Sequence, residues 1–563
     1  MQLLDMPDKV LLLIGENLPI KDIYHFLSTC CRLSSLLAPL LGKLGVQEVC
    51  TQSTLQWAVD RGHASLAKLA ILNRAQIDTP DGGDSQPSSP LHLAVERYDP
   101  RVVRLLVAHG DATDARDKYS QTPLHLAALR GDPDLCRILI EYSAAIDARD
   151  ENSRTPLHIA AASYSQKVIS LLVAHGAAID ARDKRSLTPL HLAVGWPVSD
   201  AILPLVALGA TIDARDKNSQ TPLHWAAWRN CQDAIHALVS HGAMVDARDN
   251  DSRTPLHEAA RWGSQDAIRA LVLHGATIDA RDKNSRTPLH EAVWRNSQDA
   301  IRTLVSHGAT IDARDKDSRT PLHEAAQRNS QDAIRALVSH GATIDAIDKD
   351  FRTPLHEAAW YNSQDAVRAL VSHGATADSR DQYSSTPLHE AARRNSQDAI
   401  RALVSCGATI DARDKYSRTA LHGAAGRDSQ DAIRTLVSHG ATIDARDECF
   451  RTPLHEAAQY NKPEAICTLV GHGAMIDARD KYSQTPLYLA AWFNSRDSIC
   501  TLVSHGATLD DVDDLSCTPL QQAVLCNYQD AMRTPVVHGA TLDVGGERSR
   551  IPPDIPGSNM NNL

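Results

Sequence analysis

The sequence predicts an all-α fold: a solenoid of stacked helix–turn–helix units, each closed by a finger that carries a turn, preceded by a small helical domain. Two observations carry this. The first is a period. The tetrad Thr-Pro-Leu-His opens at Thr122, Thr155, Thr188, Thr221, Thr254, Thr287, Thr320, Thr353, Thr386 and Thr452, and related tetrads open at Ser89, Thr419, Thr485 and Thr518. Consecutive starts from Ser89 to Thr518 are 33 residues apart without a slip, and a degenerate copy opens at Ser53, which makes 15 copies. An uninterrupted period of this length marks stacked supersecondary units, not one globular core. The second observation is that each copy holds two short apolar patterns of helical spacing. The chain accordingly divides into a helical domain over 1–46, a repeat array over 47–545, and a decayed repeat or tail over 546–563.

Residues 1–46 do not follow the period. Asp5 or Met6-Pro7 opens a helix carrying Val10, Leu11 and Ile14, and Leu18-Pro19 breaks it. Asp22 starts a second helix with Ile23, Phe26 and Leu27, and Leu33, Leu36 and Leu37 form a third apolar run. The order Met6-Pro7, Val10-Leu11-Leu12-x-Ile14, Leu18-Pro19-x-x-Asp22-Ile23, Leu27-x-x-Cys30-x-Arg32-Leu33 resembles the F-box. It departs from that family in having Met6 where Leu is usual, and it lacks the later Trp of many F-boxes. The resemblance implies docking to the adaptor subunit of a cullin–RING ubiquitin ligase, through Met6, Pro7, Val10, Leu11, Ile14, Leu18, Pro19 and Ile23. The same residues also suit a helical cap over the first repeat, since a solenoid needs its ends covered.

One copy, Thr287 to Arg319, shows how a repeat is built. Thr287 is a good N-cap, and Pro288 sits at the first helical position, where its missing N–H costs nothing. Leu289, Ala292 and Val293 form the apolar side of a short helix. Asn296 tolerates the left-handed conformation of a helix-ending turn. Ser297 is expected to cap a second helix, with Asp299 in its first turn. Ile301, Leu304 and Val305 share one face, and Gly308 ends the helix. Ala309 to Arg319 reads as an extended finger with a turn.

This motif at this period resembles the ankyrin repeat from residue 53 to about 545. The resemblance implies that the tetrad His bridges backbone groups of neighbouring units, and that one face of the first helices lines a concave groove with the fingertips. At ~10 Å between packed helices, fifteen repeats would run on the order of 150 Å. Two departures matter. The family's Gly two residues before the Thr is Ser here (Ser219, Ser252, Ser285, Ser318) or Phe (Phe351, Phe450). If φ stays positive there, each copy loses roughly 1 kcal/mol. The family's finger Asn is Asp (Asp279, Asp312, Asp345), so modification of that Asn does not carry over. Some copies are damaged. Pro204 falls inside a second helix and is expected to kink it, and Pro535 replaces a core Leu. Ser549-Arg550-Ile551-Pro552 keeps the register, and the pattern then dissolves.

Composition excludes several functions. Net charge is −11 with no Lys/Arg block, which argues against nucleic-acid binding through a basic patch. The 11 cysteines are scattered and form no C-x-x-C, as expected of a reducing compartment. The N-terminus lacks a signal-peptide pattern and no run of 18 apolar residues occurs, so a cytoplasmic or nuclear, membrane-free and monomeric chain is expected. Of 26 histidines, twelve hold the fourth tetrad position and eleven precede the Gly after the second helix, a periodicity that reads as structural and not as a metal site. No nucleophile–base pair, phosphate loop or dinucleotide motif is present, so neither catalysis nor a cofactor is expected.

The functional signal lies on one helical face. Counting the tetrad Thr as zero, Trp57 and Trp225 fall at offset 4, Trp228, Trp294, Trp360 and Trp492 at 7, and Trp196 and Trp262 at 8. These offsets are i, i+3 and i+4, hence one face. Tyr361, Tyr460 and Phe493 join it at offset 8. Glu258, Glu291, Glu324, Glu357, Glu390 and Glu456 hold offset 4, Arg295, Arg328, Arg394 and Arg427 hold offset 8, and Arg253, Arg286, Arg319, Arg352, Arg418 and Arg451 precede their tetrads. Trp, Tyr and Arg dominate binding hot spots. The candidate partner-binding residues are therefore Trp196, Trp225, Trp228, Trp262, Trp294, Trp360, Tyr361, Tyr460, Trp492, Glu258, Glu291, Glu324, Arg295 and Arg328. The aromatics also suit packing between neighbouring fingers, and the charges also suit solvated surface pairs. Joined to the F-box resemblance, the expected function is a substrate-receptor subunit of a ubiquitin ligase that holds a protein target; the alternative is a scaffold without a ligase link.

Overall fold

The computed structural model describes residues 89–110, 112–194 and 201–525, with Val59 and Ala67. The F-box-like residues, Trp57, Trp196, Pro535 and the tail lie outside the described residues. The chain divides into two units, Met1–Lys283 and Asn284–Leu563. In both, pairs of short antiparallel-type helices alternate with fingers, and no strand occurs among the described residues.

A first helix runs seven or eight residues, as in Pro123–Arg130 of the first unit and Pro288–Trp294 of the second, except for the five of Pro189–Ala193. Each begins after an extended Thr: Thr287 has φ −98° and ψ 166°. The tetrad His fixes that start. His323 Nδ1 accepts the backbone N–H of Thr320 at 3.1 Å and lies 3.0 Å from the Thr320 hydroxyl. An amide can only donate, so Nδ1 carries no proton and the proton sits on Nε2. Nε2 then donates to the Arg352 carbonyl, 29 residues on, at 3.0 Å. The same bridge joins His125 to Arg154 and His389 to Arg418. Burial lowers the pKa of these imidazoles, to about 4 for His224, His323 and His455. The neutral tautomer is the one the bridge requires.

The core is small and repetitive. Leu289, Ala292, Ile301 and Leu304 are fully buried, and so are Leu322, Ala325, Ile334 and Leu337 one repeat later. Alanine on the first helix lets its neighbour approach closely, and each unit's apolar face is covered by the next.

Turns follow the expected conformations. Asn296 has φ 53° and Gly308 φ 92°. The position before the tetrad Arg is also left-handed, at φ 63° for Ser318 and 61° for Phe351. These residues therefore hold a conformation that glycine would take without strain.

Two expectations are corrected. Ser297 stands at the start of its helix but makes no side-chain cap. In later copies the preceding repeat supplies the cap: Asn329 Oδ1 accepts the N–H of Ala366 at 2.8 Å, and Asn329 Nδ2 donates to Asp365 at 3.3 Å. Asn230 does the same for Ala267 in the first unit. The position that would cap the Ser297 helix is Gly263. Pro204 does not kink a full-length helix. Its helix is Ile202–Ala207, so the proline lies in the first turn, where no intrahelical N–H is needed. The damage is a shortened helix.

Fingers are tied by charged side chains to backbone. Asp315 Oδ1 accepts the N–H groups of Asp317 and Arg319, both at 2.8 Å, which closes the fingertip turn. Asp312, where an Asn is usual, accepts the N–H of Thr343 at 3.1 Å and the Thr343 hydroxyl at 2.6 Å. Both contacts need acceptors, which a carboxylate supplies. Arg314 Nη1 donates to Ser318 at 3.0 Å and to the Ile347 carbonyl of the next finger at 2.6 Å. Arg380 and Arg413 repeat this pattern, whereas Ile347 has no donor to pass on.

Candidate protein-binding face

In the first unit the face is an aromatic cluster. Trp225 is buried, and its Nε1 donates to Asp216 Oδ2 at 3.3 Å. Trp228 meets it edge-on at 5.3 Å, and Trp262 meets Trp228 at 6.0 Å. Trp228 and Trp262 are 38% and 50% exposed, so the cluster is sealed on one side and open on the other. Arg229 stands over both Trp225 and Trp228, and Arg185 over Trp225. Glu258 is buried and accepts the Trp262 Nε1–H at 3.3 Å. Burial raises its carboxyl pKa.

In the second unit Trp294 and Trp360 each carry two arginines over the ring, while Trp492 lies 6.0 Å from the Tyr488 ring. Arg286 and Arg328 stand 5.4 and 3.1 Å from the Trp294 ring centre. Arg352 and Arg394 stand 5.2 and 3.5 Å from that of Trp360. Below them runs a ladder of ion pairs that crosses repeats. Arg286 lies 3.7 Å from Glu291 and 3.5 Å from Glu324, and Arg328 lies 3.8 Å from Glu324. Arg319 reaches Glu357 at 3.8 Å, Arg352 reaches Glu390 at 4.0 Å, and Arg393 bonds Glu390 at 3.0 Å. Burial raises the pKa of Glu324, Glu357, Glu390 and Glu456, and the neighbouring guanidiniums oppose it.

The expected site is therefore only partly a surface. Trp225, Glu258 and Glu291 are buried and present little to a partner, and Glu324 is largely covered. Offset 4 falls in the seam between adjacent first helices, so the neighbouring repeat covers it. Offsets 7 and 8, at the helix end, stay open. Trp228, Trp262, Trp294, Arg295, Arg328, Tyr361 and Tyr460 are exposed, and Trp360 and Trp492 are half-buried.

Two features were not anticipated. The copy from Thr419 carries Gly423 and Gly426 at offsets 4 and 7. A Cβ on Gly423 would stand 3.0 Å from the Arg393 side chain, and one on Gly426 3.4 Å from the Tyr460 ring, so the neighbours fill this notch. The two glycines in place of Glu and Trp were a readable signal. The second is Tyr488, which replaces the tetrad His and is buried. Among the described residues no group of three or more His, Cys, Asp or Glu side chains is arranged to hold a metal, and no helix is long and apolar enough to cross a membrane.

A family model described as ankyrin repeats, in three copies, matches residues 55–150, 126–216, 190–282, 245–315, 289–381, 373–447 and 446–513. No curated protein matches the chain. Among solved structures, the crystal structure of the human ASB11 ankyrin repeat domain is similar, at 24% identity and a TM-score of 0.36, covering 40% of this chain and 100% of that one.

Proposed function

The chain belongs to the ankyrin repeat family, and from that premise we propose that it is a substrate-receptor subunit: the first-helix face holds a protein target while residues 1–46 dock the adaptor of a cullin–RING ubiquitin ligase. The observation that carries the binding half is the pattern of exposure. Offset 4 is sealed by neighbouring repeats, while Trp and Arg side chains of the hot-spot type remain open at offsets 7 and 8. The ligase half rests on the F-box-like order of Met6-Pro7, Val10-Leu11, Leu18-Pro19 and Ile23.

The protein performs no chemistry in this reading and acts in the cytoplasm or nucleus. It raises the local concentration of target lysines near the ligase's catalytic subunit, and proximity alone accelerates transfer. Its recurring tetrad His and finger Asp serve the repeat: His323 bridges units and Asp315 closes a turn.

Co-purification with the adaptor tests the ligase half. Full-length chain should bind; deletion of 1–46, or Pro7→Ala with Leu11→Ala, should abolish binding and leave thermal unfolding of the array unchanged. Binding that survives deletion, or no binding at all, leaves a scaffold without a ligase link. Trp262→Ala with Trp294→Ala tests the face. Stability should fall by less than ~1 kcal/mol, as for surface changes. Affinity for the co-purifying target should fall at least tenfold. A double mutant that melts early and binds as before would make these rings packing only.

A further inference from the structure

The second unit carries the same arrangement twice, two repeats apart: Arg286–Trp294–Arg328 and Arg352–Trp360–Arg394. Resting on the reading that this face binds protein, we infer that the two Arg–Trp–Arg clamps hold one extended acidic segment of a partner, with an acidic cluster seated at each clamp.

Three observations support the choice of an acidic occupant. The acidic side chains of this face are withdrawn or engaged. Glu357 and Glu390 are buried under it, Asp317 is bound by Lys349 at 2.6 Å, and Asp350 accepts from Gln382 at 3.1 Å. One arginine of each clamp is at the surface: Arg328 and Arg394 are exposed, although the whole chain carries −11. Arg328 lies 3.8 Å from Glu324, whereas Arg286 and Arg352 are half-buried and pair with Glu291, Glu324 and Glu390. Their chemistry is also suited. A guanidinium stacked on an indole uses its flat face, and its N–H donors lie in its plane, available to grip a carboxylate in a two-pronged bond. The exposed Arg394 guanidinium lies 3.5 Å over the Trp360 ring and acts on Glu390, where it opposes the burial that raises the carboxyl pKa.

The repeat sets a ruler. Two repeats at ~10 Å each separate the clamps by ~20 Å. An extended chain advances ~3.3 Å per residue, so the two acidic clusters should lie about six residues apart. An acidic protein segment fits better than a nucleic acid. A phosphate backbone carries charge at every step and calls for a continuous basic track, whereas here the ring-stacked exposed arginines stand at two points on a chain of net charge −11.

The test is fluorescence anisotropy with the full chain and a labelled peptide bearing two Glu-Asp-Glu clusters about six residues apart, the spacing of an extended strand. The peptide should bind, its lysine analogue should not, and a spacer shortened to about two residues should weaken binding several-fold by forfeiting one clamp. Arg328→Gln with Arg394→Gln should weaken binding at least tenfold. If that variant melts early, salt replaces it as the readout: raising ionic strength from about 0.05 M to about 0.5 M should weaken binding of the unsubstituted chain at least tenfold. Binding indifferent to spacing, or indifferent to both the arginines and salt, overturns the inference. So does a single-stranded oligonucleotide that binds more tightly than the peptide. If neutral or basic peptides bind and lose affinity on Trp294→Ala with Trp360→Ala, the acidic inference fails and the protein-binding reading stands. If no peptide of any charge responds to those substitutions, both fail.

Discussion

Tyr488 donates its hydroxyl proton to Asp513 at 2.7 Å and lies 3.1 Å from Gln522 Oε1. It stands where other copies have the bridging His. The imidazole joins its neighbour through a backbone carbonyl, whereas the longer phenol reaches the carboxylate that closes the next fingertip turn. Tyr488→Phe removes the donor and leaves a buried carboxylate oxygen without it. It should lower stability by ~1–3 kcal/mol, read from urea unfolding. An unchanged midpoint would show that this bond does not hold the last described repeats together.

Acid should weaken the array through its tetrad histidines. His224, His323 and His455 have folded pKa values of about 4, below the 6.5 of a free imidazole. Between those limits the unfolded chain binds protons that the folded chain does not. Stability therefore falls as pH drops through that window, by at most ~1.4 kcal/mol per pH unit for each histidine. The buried Glu324, Glu357, Glu390 and Glu456 act oppositely, because their raised folded pKa values let the folded chain take up protons first as pH falls. His323→Gln should flatten the pH dependence while lowering stability at neutral pH. A profile with unchanged slope would count against the neutral bridge.

Relief of backbone strain should stabilise the fingers. Ser318 and Phe351 sit at φ 63° and 61°. Replacing either by Gly should raise stability by ~0.5–1 kcal/mol, the left-handed penalty less the added freedom of the unfolded glycine. A urea midpoint that stays or falls would mean that these side chains contribute more than their backbone costs.

Because stability is shared between neighbours, a break in the middle should split the unfolding transition. Leu337 is fully buried, and Leu337→Ala should cost ~2–5 kcal/mol. Calorimetry should then resolve two transitions where the unsubstituted chain shows fewer. One sharp transition in the variant would contradict nearest-neighbour energetics.

Much of the repeat was legible because its signals are local. Thr287-Pro288 announces a helix start and Asn296 a left-handed turn, and both are as read. What stayed hidden is what passes between repeats. Ser297 has the chemistry of a cap, yet the equivalent amide of the next repeats is capped by an Asn 37 residues earlier, as Asn329 caps Ala366. Trp225 and Trp228 share a helical face, yet one is buried and the other open. The 3.6-residue period orients side chains around one axis; it carries no term for the neighbour that closes over offset 4. Glu291 reads as a surface charge for the same reason.

The cross-repeat bonds recur at constant separations: 29 residues from His to carbonyl, 31 from Asp to Thr, 33 from Arg to carbonyl, 37 from Asn to amide. Where a copy carries these side chains, each meets an equivalent backbone partner in whichever copy comes next. Insertion or excision of one whole unit keeps these separations, whereas a gain or loss of any other length leaves a whole set of these bonds out of step at the junction. The array can therefore change length by whole units and keep the spacing of these bonds at the junction.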